Sequence, residues 1–306
     1  MCPMKKYDVC VVGAFGVDTS VYLNHPLGEM KVETQFVENL DNVGLSGGYC
    51  SQLFSALGKR VRCIGYCGDD FCGDFLKRRL KSQGIDTEGF FTDTQGTKRS
   101  VNLMYKDGSR KSFYDGKGSM TATPDIERCA NILSTVKIAH FSIVNWTRYL
   151  LDTCAGLGLS ISADLQDAPS VSDAYRMDFV KKSDILFVSG VNFADPESAL
   201  KEYIQAYPNK LFIMSVGKNG VLYHQGNEIL RQPAIEKGAP VVDPNGAGDS
   251  LAVGFLTGYL LEGLPLEDSL RMGQSLARHT CTIRGNTAPF MSREMLRDEM
   301  LTEKQD

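Results

Sequence analysis

Two carboxylates flank a glycine turn in residues 241–256, VVDPNGAGDSLAVGFL: Asp243 before it and Asp249 after it. Between them Gly246, Ala247 and Gly248 carry little or no side chain, so a ligand can approach their backbone closely. Leu251, Phe255 and Tyr259 then recur at i, i+4, as do Ala252, Leu256 and Leu260, which predicts a helix beginning at the turn. A glycine turn that runs into a helix start offers successive N–H groups and the positive end of the helix dipole to an anion. An acid at that point can serve as a helix cap, but a cap does not require Gly-Ala-Gly before it. A cradle for an anion beside a carboxylate suits phosphoryl transfer: the cradle meets the moving phosphoryl group, and Asp249 accepts the proton of the attacking hydroxyl.

The rest of the chain must position that turn. The opening YDVCVV reads as a buried strand ending in a glycine turn, with Asp18 beyond it. Gly47 and Gly48 open a helix whose apolar residues Leu53, Phe54 and Leu57 follow the helical period, and Gly58 closes it. After residue 123 strands and helices alternate down to the cradle. Such alternation predicts a mostly parallel sheet with helices on both faces, a three-layer α/β/α domain. Residues 98–115 break the pattern, with two strand-like runs around Asp107-Gly108, a strong hairpin signal. We expect one domain over residues 1–306, with a small β lid supplied mainly by residues 90–118. The polar segment after residue 292 reads as a helical tail.

Bulk properties remove other classes of function. The chain has 306 residues, 33 basic and 37 acidic, with a formal net charge of −4. That balance lacks the basic footprint of a nucleic-acid binder. The densest basic run, FLKRRLK at residues 75–81, reads as a solvated helix face. No run approaches the ~18 apolar residues of a membrane span. Nine cysteines are scattered, and Cys63, Cys67 and Cys72 match no common zinc spacing. They read as buried free thiols of a reducing compartment, so a cytoplasmic location is expected.

The stretch DPNGAGD resembles the C-terminal signature of the ribokinase-like (PfkB-type) carbohydrate kinases, Asp-Thr-x-Gly-Ala-Gly-Asp, with Pro244 in place of Thr. The resemblance continues through GGYCSQLFSALG, CIGYCGDDFCGDFLKRRLKSQGIDT, VNFAD and MSVGKNGVLY, all in family order. It implies a ribokinase-like fold and transfer of the γ-phosphoryl group of ATP to a hydroxyl, with Mg2+ on the phosphates. By position, Asp249 matches the catalytic base and Gly246, Ala247 and Gly248 the anion hole. Asp18, Gly47, Gly48 and Gln52 match the sugar-binding residues, although Gln52 stands where the family has Asn, and Tyr49 where it has Lys or Asn. Asn192 and Asp195 match the pair that orders water around magnesium, with Asp for Glu. Gly217, Lys218 and Gly220 match the nucleotide-side turn, and His279 the place where adenine packs. The resemblance also implies a monovalent cation such as K+ near Asp243, with carbonyls from TIRGNTAPF, and a homodimer clasped through the lid.

The expected activity is phosphorylation of a sugar, through a hydroxyl that is primary. Two rivals keep the same fold: a nucleoside kinase, and a catalytically silent sugar-binding regulator. Retention of Asp249 with an intact Gly-Ala-Gly argues against the silent protein. A dinucleotide-dependent oxidoreductase fails on spacing, because Gly13, Gly16 and Gly28 do not form Gly-x-Gly-x-x-Gly.

Overall fold

The computed structural model describes residues 5–23, 36–106, 108–235, 239–285 and 288–302. The chain begins with strands β1 (Tyr7–Val12), β2 (Gly16–Tyr22) and β3 (Glu38–Gly44), then helix α1 (Leu45–Ala56). Strand β4 (Val61–Cys67), helix α2 (Phe71–Ser82) and strand β5 (Asp86–Thr92) come next. Strands β6 (Lys98–Met104) and β7 (Arg110–Asp115) precede helix α3 (Ile126–Leu133). An alternating run follows: β8 (Val136–Ser142), α4 (Leu151–Gly156), β9 (Ser160–Asp164), α5 (Met177–Lys182), β10 (Ile185–Ser189), α6 (Pro196–Ala206) and β11 (Leu211–Ser215). Strands β12 (Val221–Gln225) and β13 (Glu228–Gln232) then precede α7 (Ala247–Leu256), α8 (Leu266–Thr280) and α9 (Arg293–Thr302).

The large sheet has the order β13-β12-β11-β10-β9-β8-β1-β4-β5. Its strands are parallel from β11 through β5, and β12 and β13 add an antiparallel edge. Side chains alternate across a strand, and β1 makes the layering visible. Cys10 and Val12 join a core with residues of α3 to α6, such as Leu133, Leu151, Phe179 and Tyr203. Val9 and Val11 join the opposite core with Leu53 and Phe54 of α1, Leu76 of α2, Phe255 of α7 and Met272 of α8. Each such fully buried side chain contributes about 1.5–3 kcal/mol. The expected three layers are present, and no helix among the described residues is long and apolar enough to cross a membrane.

The second sheet departs from the expected hairpin. It has four strands in the order β3-β2-β6-β7, with β2 and β6 parallel and the outer pairings antiparallel. Half of it therefore comes from residues 16–44, and residues 90–92 belong to β5 of the large sheet. The β2 segment follows β1 after three residues and reads as its turn, while β3, ENLDNVG, lacks an apolar alternation; pairing rather than pattern makes both of them strands. Asp107 of the expected turn lies outside the described residues.

The root of the small sheet is tied to the large layer. Asp70 caps α2 by accepting the Gly73 N–H at 2.8 Å and accepts the Thr97 N–H at 2.7 Å. Buried Lys98, the first residue of β6, pairs with Asp93 at 3.7 Å. Because the strands from β1 to β11 that belong to the large sheet run parallel, their carboxyl ends share one edge, where an open α/β sheet takes its ligands.

Candidate active site

At that edge the ends of β1 and β8 touch. A Cβ on Gly13 would fall 2.2 Å from Ser142 Oγ, so the position admits only glycine. Ser46, in the first turn of α1, donates its hydroxyl to Ser142. Beside β8, Asp164 ends β9 and accepts the Gln166 N–H at 2.8 Å. Burial pushes the Asp164 carboxyl up to about 6.

Asp18 projects from β2 and is buried. Its Oδ2 accepts the Leu45 N–H at 3.3 Å, and the Tyr49 hydroxyl also bonds to the carboxylate. Gly44 must be glycine, since a Cβ there would lie 2.1 Å from the Asp18 carboxyl carbon. Asp18 Oδ1 is buried without a partner among the described residues. A lone pair in that state is costly unless a donor reaches it, and a sugar hydroxyl is such a donor. Burial raises the Asp18 carboxyl to about 6 against the lowering effect of the Leu45 amide, Arg110 and Tyr49, and the charge of Asp243 adds to the rise.

Gly246 is the N-cap of α7, in the left-handed region at φ 78°, with no side-chain cap on the helix. A Cβ there would come within 2.6 Å of the Tyr49 ring. Asp249 lies in the first turn and makes no capping bond, so the cap role is not what it performs. Its Oδ1 instead accepts the Cys50 thiol at 3.4 Å. Burial, and then the charge of Asp164, push the Asp249 carboxyl up to about 8; Cys50 and Arg110 pull it down, and Asp18 pushes it up. Of the turn's amides, Ala247 N–H donates to Pro244 O at a long 3.3 Å. Gly248 and Asp249 lie where a helix offers its own amides no carbonyl, and the space beside Gly248 is open.

Several sequence expectations meet other roles here. Gln52 Nε2 donates to Val43 O at 3.1 Å and Gly48 O at 3.0 Å, and its Oε1 accepts from Gln83 Nε2 at 3.2 Å. The amide braces α1 against β3 and the end of α2: both Nε2 hydrogens are used, and Oε1 keeps one lone pair. Gly47 approaches β1 closely, its N–H donating to Ala14 O at 2.8 Å, and Gly48 packs on Val43. These glycines bring α1 against the strand layer. Asp195 caps α6, accepting the Ser198 hydroxyl at 2.7 Å and the N–H groups of Ser198 and Glu197. Those bonds, the Ser198 hydroxyl first, hold it below the usual carboxylate range. The carboxylate is exposed and keeps acceptor capacity for water beyond these three bonds. Asn192 donates its side-chain amide to Asp167 O at 2.8 Å.

Gly217, Lys218 and Gly220 lie in the five-residue connection from β11 to β12, with positive φ at both glycines, 58° and 90°. Lys218 is exposed. His279 is in the last turn of α8, with Nε2 3.5 Å from Pro289 O. Buried Asp243 accepts the Tyr22 hydroxyl at 2.7 Å, the Asn245 N–H at 2.9 Å and the Gly285 N–H at 3.2 Å. Three hydrogen donors already face this carboxylate, so a cation there would depend on carbonyls of the loop after α8. Asn286 and Thr287 of the same loop lie outside the described residues. Among the described residues no group of three or more His, Cys, Asp or Glu side chains could hold a metal.

Sequence reading missed Asp164, Cys50, Asn245 and Arg110, and gave Tyr49 no role beyond a departure from the family pattern. Asp164 carried a usable signal, an acid ending an apolar strand of a parallel sheet. The other contacts depend on how α1 and the small sheet pack on α7, which no local pattern encodes.

The chain matches the pfkB family carbohydrate kinase model over residues 51–293. It is 31% identical over 301 residues to an acarbose 7(IV)-phosphotransferase of Actinoplanes sp., covering 94% of this chain and 97% of that protein. It is 25% identical to a ribokinase of Lactococcus lactis, covering 86% of this chain and 87% of that protein. The solved structure of a microbiome-derived acarbose kinase, Mak1, superposes with a TM-score of 0.87 at 30% identity, covering 96% of this chain and 99% of that one. The matched span includes the glycine turn and Asp249, and the chain belongs to the pfkB family of carbohydrate kinases.

Proposed function

We propose that this kinase transfers the γ-phosphoryl group of ATP to a sugar hydroxyl, a primary one, with Asp249 as general base. The acceptor oxygen forms a bond to γ-phosphorus while the bond from phosphorus to the bridging oxygen of ADP breaks. The hydroxyl proton passes to Asp249, and ADP leaves. The observation that carries this reading is Asp249 in the uncapped first turn of α7, beside an open glycine backbone. Burial and Asp164 give that carboxylate a proton affinity suited to a base working near neutrality.

Backbone N–H groups of the 246–248 turn would meet the charge that develops on the phosphoryl oxygens; one such donor is typically worth ~2.7–4 kcal/mol in the transition state. Magnesium would arrive on the nucleotide's phosphates and neutralise part of their charge. The Gly217–Gly220 connection and the end of α8 at His279 would flank the nucleotide. Asp18, with its unpartnered Oδ1, would orient the acceptor. The small sheet would act as a lid that excludes water, the competing acceptor. Its outer strand β7 is exposed along its whole length, with Phe113 53% exposed; an edge of this kind supports pairing with a second copy.

A larger acceptor is favoured by one further observation. Tyr114, on β7, is 56% exposed next to the exposed Phe113, so the small sheet presents aromatic surface to a ligand. Aromatic faces are a common support for sugar rings, and both relatives near 30% identity are named for acarbose, so an oligosaccharide of that kind is the first acceptor to try. The test is ADP release under saturating Mg-ATP with ribose, fructose, nucleosides and acarbose-type oligosaccharides. Turnover with a saccharide supports the reading; turnover confined to nucleosides, or saccharide binding with no ADP formed, overturns it.

A further inference from the structure

Arg110 opens β7, on the outer strand of the small sheet, yet its guanidinium belongs to the chemistry of the other layer. Its Nη1 donates to Asn245 Oδ1. Asn245 directly precedes Gly246 and is itself buried. It is held on both sides, by its N–H to Asp243 Oδ1 at 2.9 Å and by its side-chain nitrogen to Met104 Sδ of β6 at 3.5 Å. The amide oxygen is thereby presented to the small sheet as a fixed acceptor. The charge of Arg110 is felt by both Asp18 and Asp249, the two acids that bracket the acceptor in the proposed site.

The electrostatic setting gives this contact its meaning. Asp18, Asp164, Asp243 and Asp249 converge on a cleft that has to admit a polyphosphate. Acids gathered this closely repel such a ligand unless a cation offsets them. The turn supplies only partial charges from amides. A guanidinium offers a full charge and a planar fork that matches two phosphoryl oxygens. A lid docked through Asn245 sets that fork next to the amide cradle.

We propose that Arg110 is a catalytic residue carried by the lid: docked on Asn245, its guanidinium contacts the transferring phosphoryl group, and opening of the lid withdraws it. This rests on the proposed phosphoryl-transfer reading of the site. A rival role is purely structural, with Arg110 tethering the lid and touching no ligand. Complementarity to the transition state separates the two, because a group that acts there binds its mimic more tightly than it binds the ground state.

The experiment measures binding of ADP alone, and of ADP with Mg2+ and aluminium fluoride, by titration calorimetry in wild type, Arg110→Ala, Arg110→Lys and Asn245→Ala, with kcat and KM for the same set. For Arg110→Ala we expect affinity for ADP–aluminium fluoride to fall by roughly 10²–10³ and kcat by a similar factor, with ADP affinity within about threefold of wild type; a single charge-stabilising contact reaches this range. Arg110→Lys should recover part of both losses, and Asn245→Ala should lose less than Arg110→Ala. Equal losses for ADP and its fluoride complex, or kcat within about threefold of wild type, would overturn the proposal. If Arg110→Ala unfolds, the Arg110→Lys and Asn245→Ala pair decides by the same differential. Asp249→Asn serves as the separating control: it should lose turnover while keeping the differential affinity for the fluoride complex. Retained turnover there would remove the base and leave the Arg110 result to stand or fall by itself.

Discussion

The thiol of Cys50, on α1, donates to Oδ1 of Asp249, on α7, across 3.4 Å. This contact joins the helix that starts at the glycine pair to the helix that starts at the anion cradle. It also occupies one oxygen of the proposed base and leaves the other for an acceptor.

A donor to a carboxylate favours its charged form. Cys50→Ala should therefore move the acid limb of the kcat/KM profile to higher pH, and Cys50→Ser, a stronger donor, should move it lower. Opposite displacements of the two limbs are the expected outcome of a pH-rate series; identical profiles would mean that the thiol does not address the base.

Asp164 acts on Asp249 through charge. With the Asp249 carboxyl near 8, the wild-type kcat/KM should rise with pH through an acid limb well above the ordinary carboxylate range. Asp164→Asn removes a like charge and should shift that limb down. A limb that stays in place, measured with acceptor and nucleotide each below KM, would contradict the coupling.

The same shift has a consequence for stability. Between the ordinary carboxylate value of 3.8 and about 8 the folded state holds a proton at Asp249 that the unfolded chain has released. Stability from this group is thus present at low pH and lost as pH rises through the folded value. Asp249→Asn should melt above wild type at pH 9 and show little difference near pH 4. Thermal unfolding at the two pH values checks the sign.

The two glycines of the cradle should behave differently. Gly246→Ala places a Cβ at φ 78° and against Tyr49, and should cost about 1–3 kcal/mol. Gly248→Ala enters open space and should leave stability within about 0.5 kcal/mol while lowering kcat by crowding the phosphoryl site. Urea denaturation and steady-state kinetics on both variants give the comparison.

Gln52→Ala tests a structural assignment. It strips a buried amide from the carbonyls of Val43 and Gly48 and from Gln83, which should cost about 1–3 kcal/mol. The acceptor KM should stay unchanged. A large rise in KM with normal stability would return Gln52 to the sugar site.

The large sheet was legible because its signals are local. Apolar runs such as YDVCVV and DILFVS alternate with helical periods, and that alternation has one common architectural solution. The cradle was legible because its glycines and its acid are contiguous. The small sheet was only half legible: β6 and β7 announce themselves as a hairpin, while β2 and β3 become strands through partners up to 82 residues away. Gln52 and Asp195 carry plausible polar chemistry in sequence, but backbone groups of their own neighbourhood claim their hydrogen bonds. Arg110 and Asn245 lie 135 residues apart and meet only because the small sheet packs against the turn before α7.

Turnover of Asp249→Asn tests the central claim most directly, measured with a productive acceptor alongside calorimetric ADP binding. The account predicts a fall in kcat of roughly 10²–10⁴ with ADP affinity unchanged. Near-normal kcat in a folded, nucleotide-binding variant would contradict it.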